Sequence, residues 1–234
     1  MKKVLLVGFV VAGGWLAQGQ TIALWNFESF TAPGSAGAGV WITNIAADVG
    51  SGVLSAWHAG SANYTTPSGN GSTKSLSANT WAVGDFFQVV VSTVGYSGIQ
   101  VSFDQTSSSS GPGRFNLDYS TDGVNFTTFV SNYVVLVNGA APNAAWNNTT
   151  YVPAYHYSFD LSSVTALNNA PTVYFRLVQS SPVTAGGGSP SATGTSRIDN
   201  FEVSAVPEPG VPLLLLLGAG CIGWTRRQRA AQLA

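Results

Sequence analysis

The sequence predicts an all-β fold, a two-sheet antiparallel sandwich, carried between two apolar ends. Three observations lead there. Charged side chains make up 8% of the 234 residues and hydrophobic ones 45%, whereas an ordinary soluble domain carries about 25% charge. Gly occurs 27 times and Pro 11 times, which suits short strands joined by turns. Apolar residues alternate with polar ones in several short runs, and period two marks a strand with one buried side. No stretch of the body supports a long amphipathic helix.

Taken along the chain, strands are expected at 21–27, 86–91, 99–104, 114–120, 126–137, 155–160, 172–179 and 197–204. Phe115, Leu117 and Tyr119 point one way, and Asn116, Asp118 and Ser120 the other. Val173, Phe175 and Leu177 form a second apolar face. Ser120-Thr121-Asp122-Gly123 falls between two such runs, and Asp-Gly supplies the positive φ of a tight hairpin. Residues 160–164 are expected to open one helical turn capped by Asp160, Ser162 or Ser163, ended by Asn168-Asn169-Ala170-Pro171. Eight or so antiparallel strands with long loops predict a jelly roll. The body, 20–205, is long enough to bury a sizeable single core.

The ends read as addresses. Residues 1–19 have Lys2 and Lys3, an apolar run over 4–12 and a small-x-small site at Ala17-Gln18-Gly19, the layout of a secretory signal peptide. An N-terminal membrane anchor is the alternative. At the other end, 206–234 carries Pro207-Glu208-Pro209, an apolar run over 211–224 with five consecutive leucines, and Arg226, Arg227 and Arg229. As a helix, that run would span about 21 Å against a hydrocarbon core of about 30 Å, a short transmembrane helix. The arginines should stay cytoplasmic, which puts the body outside. Cys221 reads as a small apolar residue of that helix, with lipidation as the alternative.

The order of these three parts resembles a PEP-CTERM sorting signal over about the last 29 residues. That resemblance implies an exosortase-type membrane peptidase as partner, after the secretion translocon and signal peptidase. It implies an inner-membrane intermediate, then the cell surface or extracellular matrix of a Gram-negative bacterium, in an exopolysaccharide or biofilm setting. A plain C-terminal anchor is the alternative. The prolines deny a helix to the segment outside the membrane, so an extended, grippable strand is expected there. A second resemblance rests on Ser102-Phe103-Asp104-Gln105, 111–123, Phe159-Asp160-Leu161-Ser162-Ser163, Tyr174-Phe175-Arg176-Leu177 and 197–203. These stretches are similar to surface domains related to galactose-binding-like jelly rolls of carbohydrate-binding modules. In such relatives, an early acid and an Asp of the last strand often share calcium, which here implies Glu28 and Asp199.

Little in the body points to catalysis. Nine Lys+Arg against ten Asp+Glu leave no basic face for nucleic acid. Between residues 20 and 205 stand four basic and nine acidic side chains, a formal charge of −5. One cysteine excludes an intrachain disulfide and a cysteine-rich zinc site. No nucleophile elbow, zinc-protease motif or phosphate loop is present. His156 reads as packing or a satisfied hydrogen bond, and His58 as a surface residue. Asp118 and Asp122 are the only carboxylate pair to suggest glycoside hydrolysis, and the hairpin explains Asp122 better. Trp57, Trp81 and Trp146 lie in loop-like stretches and are the candidates to stack on sugar rings; filling the core is the other reading. The expectation is an exported, non-enzymatic surface protein that binds polysaccharide. A glycan-active hydrolase or a purely structural module is the alternative.

Overall fold

The structure of the protein is a computed structural model that describes residues 19–208. The apolar runs over 4–12 and 211–224, Cys221, Pro209, and Arg226, Arg227 and Arg229 therefore lie outside the described residues. Among the described residues, no helix is long and apolar enough to cross a membrane.

Fourteen strands form two sheets. The first sheet holds β1 (Gln20–Trp25), β2 (Gly34–Ala36), β4 (Val49–Gly50), β6 (Ala62–Thr65), β7 (Leu76–Ala78), β9 (Tyr96–Ser107), β12 (His156–Asp160) and β14 (Ser196–Pro207). The second holds β3 (Ile42–Ala46), β5 (Gly52–Trp57), β8 (Phe86–Val91), β10 (Arg114–Ser120), β11 (Thr127–Val134) and β13 (Val173–Gln179), in the order β11-β10-β13-β8-β5-β3. Every pairing between named strands is antiparallel. From β7 onward the chain crosses between the sheets at each step except the β10–β11 hairpin. These crossings place each apolar face opposite another.

All eight expected strands are present; β8 and β10 have the expected ends and the other six are shifted. β2 to β7 are the additions; β2, β4, β6 and β7 have four residues or fewer, so alternation has no length in which to register there. The helical turn expected to open over 160–164 and end at 168–171 is present as a 3-10 turn at Thr165–Leu167 with Asn168 as its C-cap, but Val164 and not Asp160, Ser162 or Ser163 is its N-cap. Leu161 N–H still bonds to Ile99 O and its side chain is buried, which holds the chain on the sheet. A second 3-10 turn, not expected, occurs at Pro153–Tyr155. Asp160 does cap locally, accepting the Ser162 N–H at 2.9 Å.

The core lies between the sheets. Phe103 stacks on Phe201 at 5.4 Å and 9°, and on Tyr157 at 5.5 Å. Trp25 meets Phe201 edge-on and donates its indole N–H to Ile45 O at 2.9 Å, tying β1 to the opposite sheet. Gly50 lets β4 close on β1: its φ is +76°, and a Cβ there would come within 1.9 Å of Ile22 O. Phe103→Ala is expected to cost about 3–5 kcal/mol, the usual range for emptying a buried ring site. Urea unfolding checks this; a loss below about 1 kcal/mol would show that Phe103 does not organise the core.

Candidate functional site

The alternation of the second sheet buries Leu54, Phe87, Val89, Phe115, Leu117, Phe175 and Leu177. Their neighbours must then face outward, and the register aligns them in three rows across the strands. The first is Trp57, Phe86, Val178, Asn116; the second Ser55, Gln88, Arg176, Asp118; the third Val53, Val90, Tyr174, Ser120. A polar row thus runs between two rows that are apolar or aromatic over much of their length; Ser55, Phe86, Gln88 and Ser120 are nonetheless buried, and Arg176 and Asp118 are half-buried.

Arg176 anchors the face. Its Nε–H donates to Gln88 Oε1 at 2.8 Å. Its guanidinium carbon lies 4.1 Å from the Phe86 ring centre and 3.7 Å from that of Phe126, so the cation is held between two π faces. Burial works against its charge, and nearby Asp118 works for it. Phe126 continues to Tyr174 at 6.4 Å. On the other flank, Trp57 stacks on Phe86 at 5.7 Å and Trp41 meets the same ring edge-on at 5.2 Å. Trp57 is fixed by its indole N–H on Gly39 O, and Trp41 is 41% exposed. The result is a ladder of rings across the sheet, interrupted by one guanidinium. Asp118 Oδ1 has no hydrogen-bond partner among the described residues. The third row leads into a depression of about 460 Å³ bordered by Val53, Val90, Pro171 and Tyr174.

Of the three tryptophans expected to meet sugar, only Trp57 lies on this face. Trp81 is corrected to the core: it packs on Phe87 and Phe115 and donates to Ala78 O at 2.8 Å. Trp146 is likewise buried, edge-on to Tyr155. Both stretches looked like loops in sequence, but their rings turn inward. His58 is corrected as well. It is 1% exposed, 4.3 Å from Trp81 by ring centres and 3.5 Å from Asp85; burial lowers its pKa against the pull of Asp85. His156 has the expected satisfied hydrogen bond, Nδ1 to Asp104 Oδ1 at 2.9 Å. Asp122 belongs to its turn, where it accepts from Asn125, Val124 and Ser120. The Asn125 bonds lead in holding its carboxyl well below the usual range. It makes no pair with Asp118.

Glu28 and Asp199 both hold residues 69–74. Glu28 accepts from the Lys74 N–H at 3.0 Å and from the Thr73 hydroxyl. Asp199 accepts from Asn70 N–H at 2.9 Å, Ser72 Oγ–H at 2.6 Å and Asn200 N–H at 2.8 Å. Calcium takes six to eight oxygen ligands, but two of the three groups on Asp199 are N–H donors, which repel a cation. These residues fit a hydrogen-bonded clasp rather than an ion. Among the described residues, no group of three or more His, Cys, Asp or Glu is placed to hold a metal.

Asp199 sits directly across the strand pair from Asp104, and both are fully buried. Burial pushes the Asp199 carboxyl up to about 6, and Asp104 adds to the shift while the three hydrogen bonds oppose it. The native state therefore holds this proton more tightly than the unfolded chain, whose Asp titrates near 3.9. Stability from this group is full below about pH 4 and is lost as pH rises through about 6, a change of up to about 3 kcal/mol. Melting temperature is expected to fall over that interval, and Asp199→Asn to flatten the fall. Equal slopes in both proteins would remove Asp199 as the cause. A chelator is expected to leave the melting temperature unchanged.

Trp41, Phe86, Gln88, Phe126 and Arg176 were not singled out from sequence. The alternation of 172–179 did carry a signal, since it sends Tyr174, Arg176 and Val178 outward. The meeting of five chain segments on one face carried none.

No family model matches the chain, and no curated protein matches it. Among solved structures, TmCBM61 in complex with beta-1,4-galactotriose is similar at 9% identity, covering 76% of this chain and 92% of that one, with a TM-score of 0.37. The CBM22-2 xylan-binding domain of Paenibacillus barcinonensis Xyn10C is similar at 10% identity, covering 79% and 99%, TM-score 0.40. The K3 cleaved adhesin domain of Lys-gingipain from Porphyromonas gingivalis W83 is similar at 13% identity, covering 79% and 98%, TM-score 0.41. These likenesses are distant.

Proposed function

We propose that the protein is an exported, non-enzymatic module whose second sheet binds a neutral polysaccharide on its outer face. The ring ladder around Arg176 carries this reading. Sugar rings present apolar C–H faces that pack on aromatic planes. Their hydroxyls both donate and accept, and the half-buried side chains of the polar row offer both roles: Arg176 donates and Asp118 accepts. A body of formal charge −5 disfavours a polyanion. Trp41→Ala and Trp57→Ala, and separately Arg176→Gln, are expected to weaken binding about tenfold, or ~1.4 kcal/mol, with the fold unchanged by circular dichroism. A glycan array identifies the ligand and calorimetry measures it. Binding that ignores all three substitutions would move the site elsewhere, and no binding to any glycan would leave a structural module.

The ends support delivery to the surface. The signal at 1–19 directs export through the translocon, with signal peptidase removing it. The tail at 206–234 then acts as a sorting signal read at Pro207, Glu208 and Pro209 by an exosortase-type peptidase, with Arg226, Arg227 and Arg229 holding the helix at the inner membrane. The order of the three parts supports this. In the native host, Glu208→Ala is expected to accumulate as a full-length membrane precursor. An immunoblot showing normal shortening of that variant would remove recognition through Glu208.

A further inference from the structure

The first residues of the Pro-Glu-Pro segment belong to the sheet. β14 runs through Pro207: Val206 lies opposite Ser97 and Pro207 opposite Tyr96. The Glu208 N–H then donates to Gly95 O at 2.8 Å, while the Glu208 side chain is exposed. This corrects the expectation of a free extended strand at Pro207-Glu208. The backbone there is extended, but the β8–β9 turn already uses it. A peptidase that takes its substrate as an added strand needs those same main-chain groups. It must either strip the end of β14 from β9 or bind farther along.

We infer that the folded sandwich fixes the earliest bond at which the C-terminal segment can be cut, and that this bond lies after Glu208. Pairing at Val206 and Pro207 and the Glu208 amide hold everything before it. The exposed Glu208 carboxylate stays readable as a recognition mark while the cut falls beyond it, toward the apolar run. The inference bears on processing in the cell only through the sorting reading above, but the protection itself is a property of the fold.

Two measurements test it. The full-length protein, treated with a broad-specificity protease, is expected to yield a core whose intact mass places its C-terminus at Glu208 or later. Glu208→Pro removes the N–H that bonds to Gly95, so its core is expected to end upstream of residue 208. Glu208→Ala keeps that N–H, and its core should end where the wild type does. A wild-type core trimmed back before Pro207, or equal ends in the Pro and Ala variants, would overturn the inference. Intact mass of the protein isolated from its native surface gives the cellular arm. An end at 208 or later but short of 234 supports the inference, and an end before 208 overturns it while the sorting reading stands. A native chain complete to Ala234, with the protease core still ending at 208 or later, overturns the sorting reading alone.

Discussion

The pairing of β9 with β14 is the constraint on which the rest of the structure depends. Both strands are twelve residues long, about twice the usual length of a strand. Their register runs from Ser196 opposite Ser107 to Pro207 opposite Tyr96. A register of this length is hard to slip, because a one-residue shift would turn every buried side chain outward. It sets Phe103 against Phe201, gives β1 and β7 a strand to add to, and brings Asp104 opposite Asp199. Shifts near Asn200 and Ala205 break the ladder twice. At the first of these Asn200 takes a φ of +46° and spends its side chain on Asp104 at 2.9 Å.

Two buried carboxylates on adjacent strands would ordinarily repel. Here backbone and hydroxyl donors from 70–72 and Asn200 reach Asp199, and His156 and Asn200 reach Asp104. The polar content of the first sheet is thereby turned inward onto its own loops. The second sheet does the opposite. Half of its polar row, Arg176 and Asp118, stays half-buried between rings, and its guanidinium rests on π faces instead of in an ion pair. The same alternation rule thus leaves buried carboxylates under loops in one sheet and a half-buried guanidinium among rings in the other.

Much of this was legible in the sequence because it is local. Period-two alternation gave eight of the strands and the inward faces of β10 and β13, and Asp-Gly gave the β10–β11 turn. Signals failed where a residue's fate depends on what comes back to cover it. Trp81 and Trp146 stand in Gly-, Ser- and Asn-rich stretches that read as exposed loops, yet each finds a buried niche built from distant segments. Arg176 was one of four basic residues in the body, and nothing local marked it as the one clamped between Phe86 and Phe126, which lie 90 and 50 positions upstream. Glu28 and Asp199 show the same dependence on distant segments. Each acid does grip 69–74, but the loop answers with N–H groups that only tertiary structure reveals.

The two ends of the body leave the sandwich side by side. Gln20 pairs with Ala205, and Glu208 reaches Gly95 in the turn that follows β8. Phe86 opens β8 at its opposite end, so the Trp41, Trp57 and Phe86 end of the ladder stands about 20 Å of strand away from that turn, while Tyr174, opposite Val90, lies nearer to it. A leash attached at either terminus would therefore hold the molecule by its heel, with the tryptophan end of the ladder farthest from the point of attachment.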